Sequence, residues 1–264
     1  MKKLIAAAGL AAFAASLPAV SFAAEEKKAE PEHTFTGNFN FASEYRYRGI
    51  AQTNSKPAVQ GGFDYAHKSG FYLGTWGSNI SWLSDTGLAS SSLEWDWYGG
   101  YKGSVGDFGY DVGGLYYWYP GTYTAAYKAG SSNPDTFELY VAGTWKFLTL
   151  KYSHSLTDTF GFKDSKGAGY LDLTGTYELP GGFSLVAHVG NQVIPGSTPN
   201  GRARKDCSYV DWKLGVTKEI VGGVTLGLSY IDTDAKGDKG ECYRNAYNKD
   251  LGRGTVVLTV GKTF

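Results

Sequence analysis

The feature that most constrains this chain is a two-residue rhythm that repeats from Thr34 to Phe264. In its first stretch the odd positions hold Phe35, Gly37, Phe39, Phe41, Ser43, Tyr45 and Tyr47. The even positions hold Thr36, Asn38, Asn40, Ala42, Glu44, Arg46 and Arg48. A β-strand sends successive side chains to opposite faces, so such a strand is apolar on one side and carries charge on the other. The pattern recurs where Leu93, Trp95 and Trp97 alternate with Glu94, Asp96 and Tyr98, and where Val210, Trp212 and Leu214 alternate with Asp211 and Lys213.

The rhythm predicts twelve strands, near 34–47, 57–68, 70–82, 93–103, 107–118, 135–146, 147–155, 169–179, 182–192, 207–218, 223–232 and 253–264. In the third, aromatic and apolar residues fall on both parities (Phe71 and Leu73 against Tyr72 and Trp76), which leaves its facing open. The connections sort by length. Those after the even strands are short and turn-like, such as Ser69-Gly70 and Pro180-Gly181-Gly182, whereas those after the odd strands are mostly longer and polar. Short turns on one rim and long loops on the other are expected of outer-membrane β-barrels, with the short rim in the periplasm. A soluble β-sandwich has no reason to sort its loops this way.

Closure follows from the solvent. Hydrocarbon offers no hydrogen-bond partner, so every backbone group must pair within the protein, and only a closed sheet has no unpaired edge. The expected fold is therefore all-β: a closed antiparallel transmembrane β-barrel of about twelve strands, with both termini on the periplasmic side.

The start of the chain reads as an export signal. Lys2 and Lys3 precede an apolar, Ala-rich run from Leu4 to Val20, and Ser21-Phe22-Ala23 places small residues at a cleavage site. The expected division is a signal peptide at 1–23, a charged linker at 24–33 without its own fold, and the barrel at 34–264. Cleavage after Ala24 is the second choice. No Cys follows the apolar run, which argues against a lipid anchor. After the signal there is no apolar run long enough for a membrane helix. Composition fits: the chain holds 20 Tyr, 14 Phe and 7 Trp, and Tyr and Trp suit the membrane–water boundary. Lys+Arg and Asp+Glu balance at 25 each, with no basic tract, so nucleic acid is not a natural partner.

Phe41-Ala42-Ser43-Glu44-Tyr45-Arg46-Tyr47-Arg48-Gly49-Ile50, followed by Gln52-Thr53-Asn54 and Lys56 to Tyr65, resembles the opening of the TorF family of porins. So do Gly70 to Asn79, Tyr98-Gly99-Gly100-Tyr101 and the stretch from Asp107 to Pro120. The similarity spans the chain after the signal and is densest in its first part. The resemblance implies an outer-membrane β-barrel, a channel and no known catalytic residues; it supplies no solute. Phe264 after an alternating strand fits the end that the barrel-insertion machinery reads, although Lys262 stands where an apolar residue is usual.

The expected function is a porin-like channel for passive diffusion of small solutes or ions through the outer membrane, with no cofactor and no metal site. The expected partners are outer-membrane lipid and lipopolysaccharide, the insertion machinery and the solutes; the oligomeric state is not legible. Glu44, Arg46 and Arg48 are the leading lumen candidates, with Asp64, Glu94, Asp96, Lys102 and Asp111 beside them. Such residues either form charged rings that select ions by sign or pair across a narrow lumen and brace it. Cys207 and Cys242 fall in connections at the same outer rim, in an oxidising compartment, and are expected to form a disulfide.

Two other readings are an outer-membrane lipid-modifying enzyme and a non-conducting barrel that presents surface loops. For the enzyme, His154-Ser155 are adjacent and point oppositely, and His188 shares parity with Ser184 but lacks a third group. His33 and His67 read as isolated girdle or lumen residues. Asp232, Asp234 and Asp238 match no strict calcium-loop spacing.

Overall fold

The computed structural model describes residues 31–196 and 207–264. The signal peptide and all of the linker before Pro31 lie outside the described residues. The barrel strands are β1 (His33–Ala42), β4 (Ala58–His67), β5 (Phe71–Asn79), β6 (Leu93–Val105), β7 (Phe108–Trp118) and β8 (Thr136–Trp145). They continue as β9 (Leu148–Ser155), β10 (Gly169–Leu179), β11 (Phe183–Val193), β12 (Tyr209–Glu219), β13 (Val224–Thr233) and β14 (Thr255–Thr263). Each pairs antiparallel with its neighbours in sequence, and β1 pairs with β14, so the sheet closes into a twelve-stranded barrel. At the seam, Asn38 stands opposite Thr263, and Gly37 and Phe264 exchange backbone hydrogen bonds of 2.7 and 2.9 Å. Among the described residues no helix is long and apolar enough to cross a membrane.

Alternation becomes an inside and an outside. Along β6, Glu94, Asp96 and Tyr98 are buried toward the lumen while Trp95 and Trp97 are exposed outside. Phe35, Phe63, Val141, Leu214 and Leu228 are likewise exposed on the outer wall. The ambiguity in β5 resolves by chemistry: Phe71 and Leu73 face out, and Tyr72 and Trp76 are almost fully buried inside. A narrow barrel lumen is itself packed with side chains, so aromatic residues serve on both faces.

Glycines make the room. Gly100 and Gly113 pair across β6 and β7. A Cβ on Gly100 would stand 2.6 Å from the Tyr72 hydroxyl, and one on Gly113 would stand 2.5 Å from that of Tyr140. The missing side chains let these two tyrosines lie against the wall, where their hydroxyls meet.

The first strand differs from expectation. The alternation runs on to Tyr47, but β1 leaves the barrel at Ala42. Residues 43–57 instead turn into the lumen, carrying a short ribbon of β2 (Arg46–Tyr47) and β3 (Ile50–Ala51). Its turn is Arg48-Gly49, with φ of 46° and 79°, as a two-residue type I′ hairpin requires. The periodicity is the same in a barrel strand and in a ribbon, so it could not locate this departure. The other long connections within the described residues, 80–92, 119–135, 156–168 and 234–254, share the rim from which this ribbon descends.

Candidate functional site

The candidate site is the lumen at the level of the inserted ribbon. Glu44, Arg46 and Arg48 lie on that ribbon and its approach, not on the wall of β1 as the register implied. Glu44 and Arg46 form an ion pair, Nε to Oε1 3.1 Å, and both are buried. Arg46 Nη1 also donates to the carbonyls of Gly49 (2.9 Å) and Leu251 (2.8 Å), tying the ribbon to itself and to the last long loop. These contacts make Arg46 a brace.

Arg48 reaches farthest. Nη2 donates to Glu138 Oε2 on β8 at 2.7 Å, and Nη1 donates to Gln192 Oε1 on β11 at 2.7 Å. The guanidinium carbon lies 4.2 Å from the centroid of the Tyr170 ring, within cation–π range. One side chain at a hairpin tip thus joins two separated strands across the lumen. Gly49 fits beside it because a Cβ there would lie 2.3 Å from Thr233 Cγ2 and 2.8 Å from Asp211 Cβ.

Tyrosines complete the constriction. Tyr45 donates to Glu94 Oε1 at 2.5 Å and Tyr119 to Glu94 Oε2 at 2.8 Å. The Tyr47 and Tyr117 hydroxyls are 2.6 Å apart, and Tyr47 also packs edge-on against Phe160. Glu94 is therefore a double acceptor. Asp96, one inward position further, is fully buried, and among the described residues neither carboxylate oxygen has a hydrogen-bond partner. The space beside the ribbon, lined by Asn40, Glu44, Arg46, Gln60 and Trp76, is a cavity of about 20 Å³, room for about one water molecule.

Further from the ribbon the wall stays polar. Asp64 accepts from Tyr98 and Asp111 from Tyr72, each at 2.6 Å. The Lys102 ammonium lies 5.5 Å from the Tyr72 ring centroid, and Lys151 lies 4.0 Å from that of Tyr140. His188 stands between Asp172 (3.1 Å) and Asp211 (2.7 Å), with Tyr170 donating to Asp211. Ser184 donates to Glu178, while Ser155 bonds with Thr159 and Glu138. The enzyme reading paired these serines with His188 and His154, and neither pair meets.

Sequence reasoning did not anticipate the ribbon, the tyrosine clasps or the His188 network. The available signal was an Arg48-Gly49 pair inside an apparent strand, together with tyrosines at inward parity such as Tyr98. At the rim of long connections Cys207 and Cys242 are disulfide-bonded, Cα atoms 5.5 Å apart. They tie the connection before β12 to the one before β14. Phe264 is exposed at the seam, its ring against Gly37.

A closed twelve-stranded antiparallel barrel with an apolar exterior and a polar lumen narrowed by an inward ribbon defines the architecture of a porin. The chain belongs to the family described as "Bacterial protein of unknown function (Gcw_chp)", whose model matches residues 26–264. No curated protein matches it by sequence. Solved structures share the fold. The KdgM porin aligns with TM-score 0.52 at 7% identity, covering 87% of this chain and 98% of that one. An outer membrane channel from Pseudomonas putida F1 aligns with TM-score 0.52 at 12% identity, covering 91% and 100%. The NanC porin aligns with TM-score 0.50 at 12% identity, covering 88% and 99%.

Proposed function

We propose that this protein is an outer-membrane channel of the TorF type that passes small polar solutes or ions by diffusion, with the 43–57 ribbon as its constriction. The observation that carries this reading is Arg48, set by a hairpin tip between Glu138 and Gln192 inside a barrel whose exterior is apolar. A loop that folds inward and is held by charge-assisted bonds sets both the width and the local charge of a pore. Charged side chains at such a point select ions by sign. Across the lumen the carboxylates Glu44, Asp64, Glu94, Asp96, Asp111, Glu138, Asp172 and Asp211 outnumber the cationic Arg46, Arg48, Lys102, Lys151 and Lys213. This supports a preference for cations.

Export, signal-peptide cleavage after Ala23, and contact with lipopolysaccharide and the insertion machinery through Phe264 belong to the same proposal. The test is reconstitution of the purified chain in planar bilayers. Discrete conductance steps, with a reversal potential in a salt gradient that reports cation preference, are expected. Silent bilayers that contain folded protein would refute the channel.

The contacts that hold the ribbon against the wall, Arg48 to Glu138 and Gln192 and Tyr47 to Tyr117, favour a second reading, a barrel closed at rest whose surface loops make its contacts. Conductance that appears only when the ribbon is released would support it.

A further inference from the structure

At the opposite end from the ribbon, the short-turn rim gathers three metal-ligating side chains that the lumen does not use. His33, the first residue of β1, is the direct partner of His67, the last residue of β4. Their ring centroids are 5.2 Å apart. Glu32 precedes them, its carbonyl accepting from the amide of Lys68 at 3.0 Å, which holds this residue beside the β4–β5 turn. Glu32 Oε1 lies 3.6 Å from His67 Nε2. One ligand atom from each of Glu32, His33 and His67 lies within 4.8 Å of the others, and among the described residues this is the one trio of its kind.

The outer ring nitrogens are already placed. His33 Nδ1 is 2.9 Å from the Tyr65 hydroxyl, and His67 Nδ1 is 2.8 Å from Ser69 Oγ. Histidines that bind a metal through one nitrogen characteristically use the other to hold a hydroxyl, carboxylate or carbonyl, which fixes the ring. Here both Nε2 atoms remain for an ion. Both histidines share the outward parity of Phe35 and Tyr65, one step beyond that aromatic pair, so they face away from the lumen.

We propose that Glu32, His33 and His67 form a zinc site at the short-turn rim. Two imidazoles and one carboxylate suit a borderline divalent ion, with water as the fourth tetrahedral ligand. Zinc–ligand bonds of about 2.0–2.2 Å require the three groups to draw together slightly from their present spacing. The ion would clip the segment before β1 to the β4–β5 turn. The Lys68 ammonium, 3.2 Å from Glu32 Oε1, occupies part of the same carboxylate when no ion is bound. Calcium and magnesium, which prefer all-oxygen shells, are not suited.

The experiment is titration of the full chain, purified without a histidine tag and folded in detergent, with zinc chloride against a chromophoric chelator. One zinc per chain is expected, with binding that weakens on acidification as protons compete for the imidazoles. His67→Ala and His33→Ala should each weaken it about tenfold or more. Lys68→Ala should leave it unchanged or tighten it, and His154→Ala should leave it unchanged. Heat-modifiable migration on a gel checks that every variant is folded. Absence of saturable binding, or equal binding by the folded double variant lacking both histidines, would overturn the proposal.

Discussion

Arg48 and Glu138 meet at 2.7 Å, one from a hairpin tip and the other from the wall of β8. Both side chains are more than nine-tenths buried. Removing one partner of a buried ion pair strands the other charge and costs about 3–5 kcal/mol. Arg48→Ala should therefore lower the thermal unfolding midpoint and free the ribbon. In bilayers its conductance should exceed that of the parent, with ion preference shifted further toward cations because Glu138 loses its counter-charge. Unchanged conductance and stability would show that the contact does not hold the constriction.

Gly49 tests the same loop by shape alone. Its φ of 79° favours glycine, and its neighbours leave no space for a Cβ. Gly49→Ala should cost about 1–3 kcal/mol through backbone strain and displace the tip from Asp211 and Thr233. The barrel, sealed by its own ladders, should still migrate as a folded species on an unheated gel. Single-channel recording should show a wider or noisier open state than that of the parent.

The Cys207–Cys242 bond closes a loop with a sequence separation of 35 residues. On the chain-entropy account, a crosslink of this span stabilises by about 3–4 kcal/mol. Tyr243 donates to the Cys207 carbonyl at 2.5 Å and buries the joint. Cys242→Ser, or reduction, should expose the 234–254 loop to trypsin at Arg244 and Lys249 while the strands remain protected. Limited proteolysis followed by mass mapping reads this directly. Equal cleavage with and without reductant would separate the bond from loop order.

Asp158 governs the acid behaviour of the 156–168 loop. Partial burial pushes its carboxyl up, but hydrogen bonds from Ser132 Oγ and the amides of Ser165 and Lys166 outweigh that and hold it below the usual carboxylate range. A depressed carboxyl stabilises the loop above its unfolded value and loses that contribution as pH falls through the folded one. The loop should thus stay ordered through mild acid and loosen only below the ordinary aspartate range. Carboxyl titration by NMR should place Asp158 below the ordinary aspartate range. Asp158→Asn, which keeps the shape but not the charge, should remove the pH dependence of loop protection.

Much of the barrel was readable from pattern. Twelve alternating stretches marked the twelve wall strands, and loop lengths separated the rims, because pleat and hydrocarbon impose the same period everywhere. Asp64, Glu94, Asp96, Lys102 and Asp111 were placed inward by parity alone. Parity failed where it carried no information. In β5 aromatic residues occupy both faces, and beyond Ala42 a continuing rhythm concealed a chain that leaves the wall.

Outside β5 and the 43–57 ribbon, the amino-acid order determined which residues face outward and which face the lumen, since that choice depends only on a neighbour one position away. Tertiary structure decided what the lumen contains. That Arg48 reaches Glu138 and Gln192, that His33 meets His67, and that Tyr72 meets Tyr140 over two glycines depend on closure and stagger around the whole cylinder. Those relations join residues far apart in the chain, and only the completed ring of hydrogen bonds sets the distances between them.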